Sequence, residues 1–133
     1  MKTYNKYAFC VIKDNKLLVQ EEDDEQFYLL PGGRAEEGEG AIQALCREVK
    51  EELGVEIELN TLKFIGVFED LASNRNDIIV RIELYQGDFH GQMTPCSEVK
   101  ELIWFDKNDD CNKLTPVTKN KILPDLLEKG LLT

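Results

Sequence analysis

Three glutamates, Glu48, Glu51 and Glu52, stand three and four residues apart, a spacing that places side chains at neighbouring points on one helix face. At about 100° per residue the three carboxylates cover an arc of roughly 100°. Ala41, Leu45, Val49 and Leu53 fill the arc beside it, so the acidic cluster borders the stripe that a core would bury. Like charges this close repel and weaken an isolated helix. A hard divalent cation with oxygen ligands is the simplest group to offset that repulsion. A solvated acidic face would carry the same triplet, since Glu is a good helix former. The lead-in weighs against that bland reading. Pro31-Gly32-Gly33 precedes the helix, and glycine, without a Cβ, lets backbone carbonyls and amides approach a ligand. Such a turn beside a Glu-rich helix makes a compact site for a metal and a phosphate.

The same residues carry a family resemblance. Gly33, Glu39, Arg47, Glu48, Val49, Glu51, Glu52, Gly54 and Val55 fit the Nudix box, G-x5-E-x7-R-E-U-x-E-E-x-G-U with U a bulky aliphatic, at every fixed position. Gly32, Gly33, Glu36, Gly38 and Glu39 also meet its extended opening, GGxxExGE. The chain therefore resembles a Nudix hydrolase of the MutT type, from near the N-terminus to about residue 127. The resemblance implies an α/β fold: an α/β/α sandwich with a mixed sheet, the box forming loop–helix–loop. It implies Mg²⁺ or Mn²⁺ held by Glu48, Glu51 and Glu52, with the Gly33 carbonyl as a backbone ligand. Arg47 and Glu39 take structural roles, Arg47 orienting a box carboxylate, and Glu36 ties down the loop. A carboxylate outside the box often completes the metal site or serves as base. Glu98 is the choice here, Glu101 its competitor, with Glu69 and Asp70 behind. Glu51, Glu52 and Glu98 are thus the candidate catalytic groups. Tyr28 stands where the family often has an aromatic, a position for packing or for a substrate contact.

The elements that must position these residues follow from the rest of the chain. At 133 residues, 42% of them apolar, the chain suits one domain with a real core, residues 1–133. Lys6–Ile12 and Lys16–Gln20 suggest a hairpin turning at Asp14-Asn15. Residues 21–26 are expected as an acidic loop, and 27–30 as a short strand stopped by Pro31-Gly32. Residues 40–53 form the box helix, ended by Gly54. Strands are expected over 55–59, 62–68, 78–86 and 99–105, with polar loops over 70–76, 88–97 and 106–113. An amphipathic helix over 116–129 is expected to kink or break at Pro124. Strands, helix, strands and a terminal helix make a mixed sheet covered by helices.

Charge and composition exclude some functions. A net charge of −10 opposes non-specific binding to nucleic acid or anionic membrane, both of which need a basic face. No run reaches transmembrane length and no signal peptide is evident, so the cytoplasm is the default location. Cys10, Cys46, Cys96 and Cys111 have no zinc-ligand spacing; Cys10 and Cys46 fall in apolar periodic segments as small hydrophobes. Asp106-Lys107-Asn108-Asp109-Asp110 opens like a calcium loop, but Cys111 and Val117 replace its required Gly and Glu. His90, the sole histidine, sits in a polar loop, and Trp104 and Phe105 suit a core.

The substrate is the least determined element. Family members acting on ADP-ribose often carry a proline shortly past the box, and those acting on dinucleoside polyphosphates a tyrosine further on. Asp70, Leu71, Ala72 and Ser73 occupy that region and supply neither. By subtraction the resemblance points to a nucleoside triphosphate, canonical or oxidised, cleaved to monophosphate and pyrophosphate. Nucleotide sugars or other diphosphates are the alternative substrates. A binding module without turnover would normally have lost box glutamates. Related proteins are often dimers, which leaves a homodimer open.

Overall fold

A computed structural model describes residues 1–133. Nine strands run β1 (Lys2–Cys10), β2 (Ile12–Lys13), β3 (Lys16–Glu22), β4 (Gly32–Gly33), β5 (Glu56–Ile57), β6 (Lys63–Leu71), β7 (Ile78–Gln86), β8 (Phe89–His90) and β9 (Val99–Phe105). The helices are α1 (Ala41–Leu53) and α2 (Leu123–Glu128). One sheet has the order β4-β1-β7-β6, a second β2-β3-β9, and β5 pairs with β8. Strands β1 and β7 are parallel, Lys2 opposite Ile78 through Cys10 opposite Gln86, while β6 and β4 pair antiparallel. The first sheet is therefore mixed.

Alternating side chains split the core into two layers. Phe9, Val11 and Leu18 pack with Leu45, Val49 and Leu53 of α1. Ala8, Cys10, Leu17 and Val19 point the other way, toward Ile122 and Leu126 on the C-terminal helix. The strands thus lie between two helical layers, an α/β/α sandwich. Leu45 is fully buried, so truncating it to Ala costs about 2–5 kcal/mol.

Local chemistry explains the element ends. Asp14 and Asn15 both have positive φ, 52° and 62°, as a two-residue hairpin turn requires. Gly54 closes α1 in the left-handed region, φ 71°, its N–H on the Lys50 carbonyl. Gln43 Oε1 accepts from the Gly40 N–H at the other end.

Several expected elements differ. Strand β3 continues through Glu21 and Glu22, expected as loop, because it still pairs with β9 beyond a bulge. Tyr28 and Leu29 make only isolated bridges. The paired strand here is Gly32–Gly33, where Gly32 at φ 137° lies against the Tyr7 carbonyl, a position that no Cβ could share. Strand β6 runs on through Asp70 and Leu71, and residues 55–62 form a two-residue strand and a 3₁₀ turn. The helix at 116–128 does not break at Pro124. It winds as a π-turn over Thr118–Ile122 and enters α2, with Pro124 in the first turn. The wider turn accommodates a residue that lacks an N–H and crowds the carbonyl four residues back.

Candidate active site

Three hydrogen-bonded connections assemble the site. Segment 29–33 crosses between the two sheets: Gln20 and Leu29 exchange backbone bonds, and Phe9 N–H donates to the Pro31 carbonyl. That crossing sets Gly32 and Gly33 against α1. The loop before β9 is tied to the end of α1, Cys96 N–H donating to the Glu52 carbonyl at 3.0 Å. It is also tied to β3, Asp23 N–H donating to the Glu98 carbonyl at 2.8 Å. Residues distant in sequence therefore meet at one edge of the sandwich.

The carboxylates of the site fall into two electrostatic groups. Arg47 organises the first. Its Nε and Nη2 donate to Glu39 at 2.8 and 2.9 Å, and its Nη1 donates to Glu48 at 2.9 Å. Glu36 lies 3.0 Å from Nε and Glu51 3.4 Å from Nη1. The paired guanidinium and the Glu36 N–H hold the Glu39 carboxyl down at about 2. Arg47 itself is raised, chiefly by its hydrogen bond to Glu39. The geometry is the fork that only arginine offers.

The second group has no such partner. Glu52 is 3% exposed, and one of its oxygens accepts from the Gly32 N–H at 2.8 Å. Glu22, Glu52 and Glu98 bring carboxylate oxygens within 4.8 Å of one another. Burial pushes the Glu52 carboxyl up to about 8, against the pull of the Gly32 N–H; neighbouring Glu22 and Glu48 push it further up. Burial likewise raises Glu48 and Glu22.

These groups end a cleft of about 490 Å³. Glu22, Glu48, Glu52, Glu98, Gly32 and Gly33 lie at its acidic end, Lys6 and Arg34 bring positive charge, and Val80, Ile82 and Pro116 an apolar lining. Arg34 stacks on Tyr4, its guanidinium carbon 4.3 Å from the ring centroid. Thr115 and Thr118 also line it, Thr115 Oγ1 donating to Thr118 Oγ1 at 3.2 Å.

Of the residues singled out from sequence, Glu48, Glu52, Glu98 and Gly33 line the cleft. Glu51 lies beside it, half exposed on Arg47. Tyr28 packs against the α2-side core and is not among the lining residues. Glu101 sits opposite Glu21 in the β3–β9 ladder, Glu69 faces Arg81 at 3.6 Å, and Asp70 accepts from Asn120. Glu22 was missed, hidden in the acidic run 21–26. The signal that finds it is alternation along β3, since Leu18, Gln20 and Glu22 share a face. The Asp106 segment is a turn, Asp106 N–H on Asp109 and Asp110 capping Asn112. His90 is exposed near Glu58, and all four cysteines are free, with Cys10 buried.

The donor set tests for a cation directly. Carboxylates with an adjacent glycine backbone are hard oxygen ligands of the kind Mg²⁺ and Mn²⁺ take. The buried Glu52 has no cationic side chain within ion-pair distance to balance it. The residues fit such an ion.

An acidic cleft built on a Gly-Gly strand and a Glu-rich helix, in an α/β/α sandwich, is the arrangement of a phosphoanhydride hydrolase. Residues 3–126 match the NUDIX domain, and the chain belongs to the Nudix hydrolase family. It is 31% identical over 125 residues to the uncharacterized Nudix hydrolase YvcI of Bacillus subtilis, covering 91% of this chain and 77% of that protein. It is 30% identical over 112 residues to the CTP pyrophosphohydrolase of Escherichia coli, covering 78% and 76%. The ADP-ribose pyrophosphatase of Methanocaldococcus jannaschii is 30% identical over 100 residues, covering 73% of this chain and 58% of that protein. The solution structure of the E. coli ORF135 protein superposes with a TM-score of 0.72 at 25% identity, covering 98% of this chain and 94% of that one.

Proposed function

We propose that this chain is a divalent-cation-dependent pyrophosphohydrolase that splits a nucleoside triphosphate, canonical or oxidised, into monophosphate and pyrophosphate. The observation that carries this reading is Glu52. It is an almost fully buried carboxylate with no cationic side chain beside it, facing Glu98 at the acidic end of a cleft. Glu48, Glu51, Glu52 and Glu98, with the Gly33 carbonyl, would hold the ion. Bound there, Mg²⁺ or Mn²⁺ supplies charge neutralisation at the phosphates and acidifies water.

The chain's own residues do the remaining work. The Gly32 N–H fixes one Glu52 oxygen, and Arg47 fixes Glu48. Lys6 and Arg34 offer positive charge to phosphate oxygens that an acidic surface would otherwise repel. The apolar wall near Val80 and Pro116 accepts the base. The Glu98 side chain makes no hydrogen bond to protein, so its oxygens are free to take the proton of the attacking water, with Glu51 and Glu52 the other candidate bases. This reading treats residues 1–133 as one catalytic unit acting in the cytoplasm on a small molecule, without nucleic acid or membrane.

Among the relatives, the name CTP pyrophosphohydrolase supports a nucleoside triphosphate, and the absence of a proline at Asp70–Ser73 weighs against ADP-ribose. The test is a panel of nucleoside triphosphates, ADP-ribose, nucleotide sugars and dinucleoside polyphosphates, with Mg²⁺ and product identification. Pyrophosphate released from a triphosphate supports the reading. Turnover confined to ADP-ribose or a nucleotide sugar replaces the substrate class, and tight nucleotide binding without cleavage replaces the enzyme with a binding module.

A further inference from the structure

The bulge between β3 and β9 leaves Gln20 and Glu22 on the same face of β3 as Leu18, the face that packs toward α1. Glu22 projects from the end of that row to within ligand-sharing distance of Glu52 and Glu98. Arg47 serves Glu36, Glu39, Glu48 and Glu51. No lysine or arginine pairs with Glu22, Glu52 or Glu98; Lys6 lines the cleft without forming an ion pair. A buried Glu52 ringed by the partly exposed Glu22 and Glu98, without a counter-charge, is costly to ionise unless something positive enters the cluster.

Gln20 is the second and independent sign. It is fully buried on the face of β3 that it shares with the core residue Leu18, where an apolar side chain would cost less. Its Nε2 donates to Glu22 Oε2 at 2.6 Å, while its Oε1 is buried without a hydrogen-bond partner. The amide that carries this orphan oxygen sits against two members of the carboxylate cluster: it grips Glu22 and also neighbours Glu52.

We propose that Glu22 is a cation ligand on β3, joining Glu52 of α1 and Glu98 of the pre-β9 loop, and that Gln20 is the positioning residue that aims it. The cation would then be held from three separate elements rather than from the box helix alone. This rests on the hydrolase reading above and adds to it a ligand outside the box. Gln20 touches neither substrate nor ion; it restricts the Glu22 carboxylate to one orientation, as a supporting partner of a metal ligand does.

The test is a Mn²⁺ titration of the purified full chain, following free Mn²⁺ by electron paramagnetic resonance, with the metal-free melting temperature recorded for each variant. Glu22→Gln is expected to weaken Mn²⁺ binding or remove an ion. Gln20→Leu is expected to weaken it by roughly 10–100-fold without lowering the metal-free melting temperature, which a merely structural role would lower. Glu21→Gln removes the same charge from the opposite face and is expected to leave the titration unchanged. Glu22→Gln with wild-type midpoint and stoichiometry overturns the proposal and leaves the hydrolase reading intact. A wild-type chain that binds no Mn²⁺ overturns both. If Gln20→Leu does not fold, Glu22→Gln still decides the ligand.

Discussion

The carboxyl group of Glu48 occupies the space that a side chain on Gly33 would need. A Cβ at Gly33 would lie 2.6 Å from Glu48 Cδ and within 3 Å of both its oxygens. The adjacent Gly32 is constrained differently, since its Cβ would strike the Tyr7 backbone and its φ is 137°. The two glycines therefore separate function from fold. Gly33→Ala pushes aside only the tip of a flexible side chain, so activity should fall about 10-fold or more with a small change in melting temperature. Gly32→Ala should cost on the order of 1–3 kcal/mol from backbone strain alone, more with the clash. Thermal melts and turnover on both variants check this. Equal stability losses contradict it.

Arg47 holds its four carboxylates through geometry as well as charge. Arg47→Lys keeps the charge and loses the fork, so Glu39 and Glu48 cannot both be held at 2.8–2.9 Å. Activity should drop roughly 10–100-fold. Kinetics of Arg47→Lys beside Arg47→Ala measure this, and a fully active Arg47→Lys would reduce the residue to a simple counter-charge.

The pH dependence of stability has two opposed parts. In the cation-free protein Glu52 titrates at about 8 against an ordinary 4.5, because burial disfavours its charged form. Between those values the folded state keeps a proton that the unfolded chain has lost, so stability falls as pH rises toward 8. Glu39 runs the other way. Its carboxyl, held at about 2 against 4.5, contributes stability present above 4.5 and lost as pH falls toward 2. Chelator-treated protein should melt lower near about pH 9 than near about pH 6. Glu52→Gln should shrink that difference, and Mg²⁺ should restore the wild type but not the variant at the higher pH. A wild-type melting temperature flat across this range contradicts the assignment.

Much of this architecture was legible in the residues. Ile78–Gln86, which alternates, and Val99–Phe105 both lie between loop-forming stretches and form strands with those bounds. The box helix declared itself through its apolar stripe and Gly54. Glu22 shares the i, i+2 spacing of Leu18 and Gln20, but an acidic run looks like a loop until a partner strand extends the ladder past it. Gly32–Gly33 read as a turn because glycine pairs are usually turns; here the missing side chains permit pairing against β1. The helix runs through Pro124 without a break because a π-turn accommodates the residue, and that turn leaves no mark in sequence. The contacts of Glu98 depend on a loop tied to the end of α1, a tertiary fact that spacing does not encode.

The most direct measurement follows pyrophosphate release from a nucleoside triphosphate panel by chelator-stripped protein, as Mg²⁺ is added back, for wild type and Glu52→Gln. The account predicts no release without the cation, release on its addition, and a variant that folds normally with a rate lower by roughly 10²–10⁴-fold. Cation-independent turnover, or full activity in folded Glu52→Gln, would contradict it.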